Sequence, residues 1–292
     1  MHLVTFIESG AERIGVLDPG YGEVVDLARA APGLPRDMPG LIALGEAGLR
    51  AVRDAFASGV TRLPLARVRL CAPLRPVRNV FCVGKNYRDH VNEVRGQGAA
   101  VPEAAPAVPI FFTKATSSVI GPEEPVPASQ DPTASADYEG ELAVVIGRGG
   151  RGIARAAAFD HVYGYTILND VTSRRLQKRH QQWFLGKSLD GFCPLGPALV
   201  TRDAIPAAAA LRILTRVNGE LRQDGTAAEM IFDIPTLIEA LSACVTLQPG
   251  DILSTGTPAG VGAGFAPPRF LRPGDHVAIT IEPIGTLENP VG

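Results

Sequence analysis

Short apolar runs separated by glycine- and proline-rich turns recur along most of this 292-residue chain. Seven of the runs are rich in Val, Ile, Thr, Phe and Tyr, and most of them end at Gly, Asn or Asp, which is typical of strands bounded by turns. We therefore predict an α+β, β-rich fold. The predicted strands are NVFCVG (79–84), AVPIFFTK (107–114), GELAVVIG (140–147), VYGYTILND (162–170), LRILTRVNG (211–219), DILSTG (251–256) and HVAITIEPIG (276–285).

Apolar residues at the three- and four-residue spacing of a helix appear in two longer segments, 38–58 and 234–247. The first helix follows a predicted hairpin over 2–18, in which a Ser-Gly turn separates two apolar runs. Prolines then keep residues 64–84 extended, because proline fits neither a helix interior nor a central strand. We place a domain boundary near residue 70, with a small N-terminal domain (1–70) and a larger domain (71–292).

Composition excludes several classes of protein. Lys and Arg number 28 against 30 Asp and Glu, and a net charge of −2 gives no global field for nucleic acid or anionic lipid. No apolar run reaches the ~18 residues of a membrane span, and the N-terminus lacks the features of a signal peptide. We expect a cytoplasmic protein without membrane or nucleic-acid partners. Its scattered cysteines indicate reduced core residues and no zinc module: Cys71, Cys82, Cys193 and Cys244.

Three carboxylates form the first candidate site. Glu139 and Glu141 lie two residues apart in a predicted strand and therefore point to the same face, while Asp170 ends the next strand. Three carboxylate oxygens suit a hard cation such as Mg²⁺ or Mn²⁺, and the absence of His or Cys disfavours zinc. Alternatively, the glutamates line the solvated face of an edge strand and Asp170 is a turn residue or helix N-cap.

His90 and Glu93 form the second candidate site. They lie three residues apart, on one face of a predicted short helix, and a carboxylate beside an imidazole can make a general base. The alternative is a solvated helix end. The segment that follows, residues 94–109, has few large apolar residues, and we predict a mobile loop there.

A glycine motif suggests a different class of function. Gly147, Gly149 and Gly152 match GxGxxG directly after a predicted strand, and Asp170 follows about where a ribose-binding acid would lie. A dinucleotide site also needs a full crossover helix after the glycines. The segment after Gly152 offers barely two helical turns, so a hairpin turn with solvated arginines is the more ordinary interpretation.

Seven segments, in this order and spacing, resemble the fumarylacetoacetate hydrolase superfamily. The resemblance spans residues 78–292, nearly three quarters of the chain, and it is specific because the whole set matches. The segments are VGKNYRDHVNE, PIFFTKATSSVIGP, DYEGELAVVIG, GYTILNDVTSRRLQ, WFLGKSLDGFCPLGP, VNGELRQDGTAAEMIF and LQPGDILSTGTPAGVG.

This resemblance implies a twisted β-sandwich roll, preceded in residues 1–70 by a small variable α/β domain. It implies Mg²⁺ or Mn²⁺ as cofactor, a homodimer, and a lid helix that carries the first two catalytic residues and orders over substrate. One departure concerns Arg175, which stands where many members have Asp and adds a positive charge that bears on substrate choice. The implied roles are metal binding by Glu139, Glu141 and Asp170, catalysis by His90, Glu93 and Lys187, and substrate binding by Arg174, Gln177 and Thr257.

The function that this resemblance implies is metal-dependent chemistry on a small 2-oxo acid. Our first choice is hydrolysis of a C–C bond in a 2,4-dioxo acid of the acylpyruvate or fumarylacetoacetate type, as in aromatic catabolism. Oxaloacetate-type decarboxylation and isomerisation of a 2-hydroxyhepta-2,4-diene-1,7-dioate-type acid use the same enolate, so family alone does not fix the reaction. A dinucleotide-binding oxidoreductase and a non-catalytic binding protein remain as weaker alternatives from other classes.

Overall fold

Strands make up most of the regular structure in the computed structural model, which describes residues 1–18, 20, 22–59, 62–94 and 106–292. The strands are β1 (His2–Glu8), β2 (Ala11–Asp18), β3 (Glu23–Asp26), β4 (Arg62–Pro64), β5 (Arg69–Leu70), β6 (Val80–Gly84), β7 (Ile110–Lys114), β8 (Val119–Ile120), β9 (Ala136–Asp137), β10 (Gly140–Ile146), β11 (Val162–Asn169), β12 (Thr172–Ser173), β13 (Cys193–Thr201), β14 (Arg212–Val217), β15 (Glu220–Thr226), β16 (Ile252–Ser254), β17 (His276–Ile281) and β18 (Gly285–Pro290).

Most helices are short and connect strands. The α-helices are α1 (Leu27–Ala30), α2 (Met38–Ala43), α3 (Gly45–Ala57), α4 (Arg88–Val94), α5 (Arg174–Arg179), α6 (Phe184–Lys187) and α7 (Ile234–Cys244). Within the described residues, no helix is both long and apolar enough to cross a membrane.

A large sheet organises the molecule. Its strands follow the order β4-β3-β2-β1-β13-β11-β10-β16-β6-β7, with β5 on β1 and β8 on β13. The N-terminal strands join the rest through the antiparallel pair β1–β13, in which His2 lies opposite Val200 and Leu3 opposite Leu199. Sheet pairing is therefore continuous across the two predicted domains, and the boundary near residue 70 stays a prediction.

A second sheet, β15-β14-β17-β18, packs against the first. Ile213, Ile279 and Leu287 on this sheet share one buried core with Leu142 and Val144 of β10. All seven residues of β10 are buried, because β11 and β16 flank the strand in its sheet and other elements cover both faces. The sequence prediction of an α+β, β-rich fold is confirmed.

All seven predicted strands occur, and α7 matches the helix predicted over 234–247. The helix predicted over 38–58 is two helices, α2 and α3, with Leu44 between them. The predicted mobile loop falls largely on residues 95–105, which lie outside the described residues. The sequence analysis missed β13, in which Pro194 and Pro197 obscure the strand pattern.

The glycine motif does not lead into a crossover helix. After Gly152 the chain forms a seven-residue 3₁₀ helix, Arg155–His161, and then returns as β11, antiparallel to β10. Gly150 exchanges two backbone hydrogen bonds with Leu247. A dinucleotide fingerprint requires a parallel crossover with its helix N-terminus at the pyrophosphate, so the motif here is a turn.

Candidate active site

The three predicted metal ligands meet where β10 begins and β11 ends. Because these strands are antiparallel and Gly140 pairs with Asn169, the end of β11 lies beside the start of β10. The backbone N–H of Asp170 donates to the carbonyl of Glu139 at 2.9 Å. One carboxylate oxygen from each of Glu139, Glu141 and Asp170 lies within 4.8 Å of the other two, and all three residues are buried.

Glu141 is buried beside two carboxylates of like charge. Its Oε2 accepts hydrogen bonds from Ser254 Oγ and from the backbone N–H of Gly256 at 2.9 Å. Burial, together with the nearby charges of Asp170 and Glu139, raises the pKa of Glu141 well above its ordinary value. A divalent cation between the carboxylates would remove this conflict, since it offsets the like charges and replaces lost hydration.

Two buried lysines contact the triad from different sides. Lys187 Nζ donates to Glu139 Oε2 at 2.8 Å and to Asp170 Oδ2 at 2.6 Å. Burial alone lowers the pKa of Lys187, but the charges of Asp170 and Glu139 outweigh it and raise the pKa above its usual value. Lys114 Nζ donates to Asp170 Oδ1 at 2.8 Å, to the carbonyl of Val171 at 3.0 Å and to the carbonyl of Lys187. The sequence analysis missed Lys114.

Arg174, the first residue of α5, fixes another side of the site. Its Nε donates to Asp137 Oδ2 at 2.8 Å, and its Nη1 lies 2.6 Å from Glu139 Oε1. Gln177 accepts a long hydrogen bond, 3.4 Å, from the same Nη1. The remaining nitrogen, Nη2, is buried and has no hydrogen-bond partner among the described residues.

The His90–Glu93 pair sits on α4, beside the 3₁₀ turn Gly262–Gly264. His90 Nδ1 lies 3.7 Å from Glu93 Oε2, and His90 is buried. Both oxygens of Glu93 accept from the backbone N–H of Gly260, at 2.9 and 3.0 Å. The pair is therefore not the solvated helix end of the alternative interpretation.

Thr257 is the last of the predicted residues. Its hydroxyl donates to the carbonyl of Gly140 at 2.9 Å and accepts from Gln223 Nε2 at 2.7 Å. These contacts fix the threonine beside the start of β10. Its predicted contact with a substrate carboxylate stays a prediction.

One cavity of about 470 Å³ joins most of these groups. Seven of the nine predicted site residues line it. The other two are Asp170, which is bonded to the two lysines, and Glu93, which is bonded to Gly260. The lining is Val83, Gly84, Lys85, His90, Val91, Phe112, Glu139, Glu141, Arg174, Gln177, Lys178, Trp183, Lys187, Thr257 and Ala263. The catalytic and binding roles predicted for these residues stay predictions.

The donor set suits a hard divalent cation. The triad offers only carboxylate oxygens, the preferred ligands of Mg²⁺ and Mn²⁺. Glu141 Oε1 accepts no hydrogen bond from the described residues, so it is available as a ligand. The structure therefore contains an acidic triad able to bind a metal ion.

Several known proteins resemble this chain in sequence and in fold. A Bacillus subtilis protein named oxaloacetate tautomerase YisK is 55% identical over 229 residues, which are 78% of this chain and 74% of that protein. A fumarylacetoacetate hydrolase structure from Exiguobacterium antarcticum has a TM-score of 0.86 and 44% identity over 100% of this chain and 99% of that one. Maleylpyruvate hydrolase from Sphingobium sp. SYK-6, with manganese(II) and pyruvate, has a TM-score of 0.78 and 32% identity, covering 100% and 98%.

The family description "Fumarylacetoacetate (FAA) hydrolase C-terminal" matches residues 79–292. This range includes the triad, the His90–Glu93 pair and all the cavity-lining residues. The chain belongs to the fumarylacetoacetate hydrolase family.

Proposed function

We propose that this protein is a Mg²⁺- or Mn²⁺-dependent enzyme that forms the enolate of a small 2-oxo acid, and that its reaction is keto–enol tautomerisation of oxaloacetate. The observation that carries this proposal is the shared cavity. A three-carboxylate cation site, a fixed ammonium and a histidine–glutamate pair adjoin the same volume of about 470 Å³. These are the groups that enolate formation requires: an electrophile, a charge stabiliser and a proton carrier.

The positive groups of the site stabilise the charge that develops on the keto oxygen. A bound divalent cation supplies a Lewis acid that polarises the 2-oxo carboxylate. Lys187 adds a second positive charge, fixed by hydrogen bonds to Glu139 and Asp170. Because the lysine is buried, water screens its charge weakly, and we expect its removal to lower kcat by about 10²-fold or more.

His90 moves the proton. Glu93, held by the N–H of Gly260, orients the imidazole and favours a proton on Nδ1. The unprotonated Nε2 then takes the proton from C3 of oxaloacetate and returns it to the enolate oxygen, so the reaction needs no other reactant. The 3.7 Å separation of His90 Nδ1 and Glu93 Oε2 exceeds a hydrogen bond, and we expect it to shorten when substrate is bound.

Relatives guide the choice among enolate reactions. The Bacillus subtilis protein at 55% identity is named as an oxaloacetate tautomerase, which favours tautomerisation over the hydrolysis preferred from sequence. C–C hydrolysis of an acylpyruvate is the second candidate, favoured by the manganese–pyruvate complex of the maleylpyruvate hydrolase. In that reaction His90 and Glu93 activate a water, which adds to the distal carbonyl, and the products are a carboxylic acid and pyruvate.

A turnover assay separates the candidates. Purified protein with Mg²⁺ or Mn²⁺ is given enol-oxaloacetate, and its ultraviolet absorbance is followed beside pyruvate release from oxaloacetate and from acylpyruvates. We expect metal-dependent loss of the enol signal that EDTA abolishes and His90→Ala reduces strongly. Pyruvate release from an acylpyruvate without tautomerisation would instead support hydrolysis, and pyruvate release from oxaloacetate would support decarboxylation.

A further inference from the structure

Helix α5 presents positive charge at the cavity in two different ways. Arg174 is buried and bound to Asp137 and Glu139. Lys178 lies four residues later, on the same face of the helix, and lines the cavity while remaining exposed. Lys178 has no hydrogen bond or ion pair with any described residue.

The other cations that line the cavity already have protein partners. Lys187 bridges two carboxylates of the triad, Arg174 binds Asp137 and Glu139, and Lys85 has an interaction partner of its own. Among the described cations that line the cavity, Lys178 is therefore the one whose charge has no protein partner. Arg174 Nη2, on the same helix, is a buried donor that is also unpaired within the described structure. Unpaired buried donors are costly, and a ligand anion would satisfy this one.

We infer that Lys178 binds the second carboxylate of a 2-oxo dicarboxylate and thereby selects diacids over 2-oxo acids with an uncharged tail. This inference rests on the proposed function, in which the 2-oxo carboxylate end binds at the triad. The distal end then extends from the buried triad toward the exposed part of the cavity, where Lys178 lies. An ammonium there forms a charge-assisted hydrogen bond with a carboxylate, which an acyl tail does not offer.

Two inert ligands test this selectivity without turnover. Malate and lactate chelate a cation through the same 2-hydroxy carboxylate group and differ by one carboxylate. Calorimetry with the metal-loaded protein should show tighter binding of malate. In Lys178→Gln, malate affinity should fall by roughly 2- to 5-fold, the range for an ion pair at an exposed lysine, while lactate affinity stays unchanged.

Arg179→Gln is the matched control. Arg179 is the next residue on α5, is exposed, carries the same charge and is absent from the cavity lining. Its substitution should leave both affinities unchanged. The inference is overturned if the wild-type protein shows no preference for malate, if Lys178→Gln weakens both ligands equally, or if Arg179→Gln has the same effect as Lys178→Gln. A protein that keeps the malate preference but does not tautomerise oxaloacetate overturns the proposed reaction and leaves the role of Lys178 intact.

Discussion

Lys114 fixes the Asp170 side of the triad. It is fully buried, and its ammonium donates to Asp170 Oδ1, to the carbonyl of Val171 and to the carbonyl of Lys187. A buried ammonium is tolerated only when its donors are paired and its charge is balanced. All three N–H groups of Lys114 are used, so one residue fixes both a candidate metal ligand and the backbone of the second lysine.

Replacing Lys114 by Met keeps the length of the side chain and removes its charge. Asp170 Oδ1 then loses its ammonium partner in a buried position, and we expect the free energy of unfolding in EDTA to fall by about 3 to 5 kcal/mol. Mg²⁺ should restore part of this loss, because a bound cation gives Asp170 a new partner. Urea unfolding with EDTA and with Mg²⁺ measures both effects. Lys178→Met, at an exposed position, should change stability by less than ~0.5 kcal/mol, and equal stability of the two variants would contradict the role of Lys114.

The sequence revealed the residues whose chemistry follows from local spacing. Glu139 and Glu141 share a strand face, and His90 and Glu93 share a helix face. The two-residue repeat of a strand and the three- to four-residue repeat of a helix are therefore enough to bring each pair together. Lys114 contacts a carboxylate 56 positions away, and the spacing along the chain carries no trace of that contact. A lysine at the end of the apolar strand IFFTK was the available signal, and strand-end lysines are usually solvated.

At the scale of elements, α4 is held over the cavity by contacts at both ends. Asn86, just before the helix, donates to the carbonyls of Phe232 and Thr255 at 3.1 and 2.7 Å. Glu93, near its other end, accepts from the N–H of Gly260. A Cβ on Gly264 would lie 2.2 Å from Cγ, Cδ and Oε1 of Glu93. The absence of a side chain at Gly264 therefore makes room for the glutamate.

Gly264→Ala should misplace Glu93 without altering either member of the pair. We expect kcat to fall, but by less than in His90→Ala, in which loss of the general base costs about 10²- to 10⁴-fold. Metal affinity should be unchanged in both variants, since neither residue is a predicted ligand. Steady-state kinetics with calorimetric Mg²⁺ titration distinguishes the effects. Gly33→Ala, where an added Cβ meets nothing within 4 Å, is the control; full activity of Gly264→Ala would contradict the orienting role of Glu93.

At the scale of the whole molecule, sequence periodicity predicted individual elements better than their assembly. The apolar runs gave the strands, because a strand buried on both faces stays apolar at every position, as β10 does. The sheet order, in which β1 joins β13 and β10 lies beside β16, depends on contacts between segments more than 100 residues apart. Alternation along a single strand holds no information on its neighbours.

The assembly state is a property of the whole molecule, and we predict a homodimer formed through the β-rich domain. The family resemblance of residues 78–292 implies this state. Sedimentation equilibrium at micromolar concentration should give about twice the 30.7 kDa mass of the chain. The same mass in EDTA would show that the assembly does not depend on the metal, and a monomer under both conditions would contradict the prediction.

Metal binding should stabilise the entire fold, because the triad joins β10 to the end of β11 in the centre of the large sheet. A ligand that binds only the native state, at a free concentration of about 100 times its Kd, adds about 2.7 kcal/mol to the free energy of unfolding. For a chain of 292 residues, that corresponds to a Tm increase of roughly 4 to 5 °C. Thermal unfolding of the EDTA-treated protein, with and without Mg²⁺ or Mn²⁺, measures the increase.

Glu141→Gln tests whether the metal-induced increase in Tm arises from binding at the triad. The amide keeps the shape of the side chain but removes the negative charge that a cation requires, so we expect most of the metal-induced increase in Tm to disappear. Without metal, the variant should be at least as stable as the wild-type protein, because burial and the charges of Asp170 and Glu139 already oppose ionisation of Glu141. Glu288→Gln makes the same chemical change at an exposed position on β18 and should keep the full increase. If Glu141→Gln also kept it, the stabilising cation would bind outside the triad, and the proposed enolate chemistry would lose its electrophile.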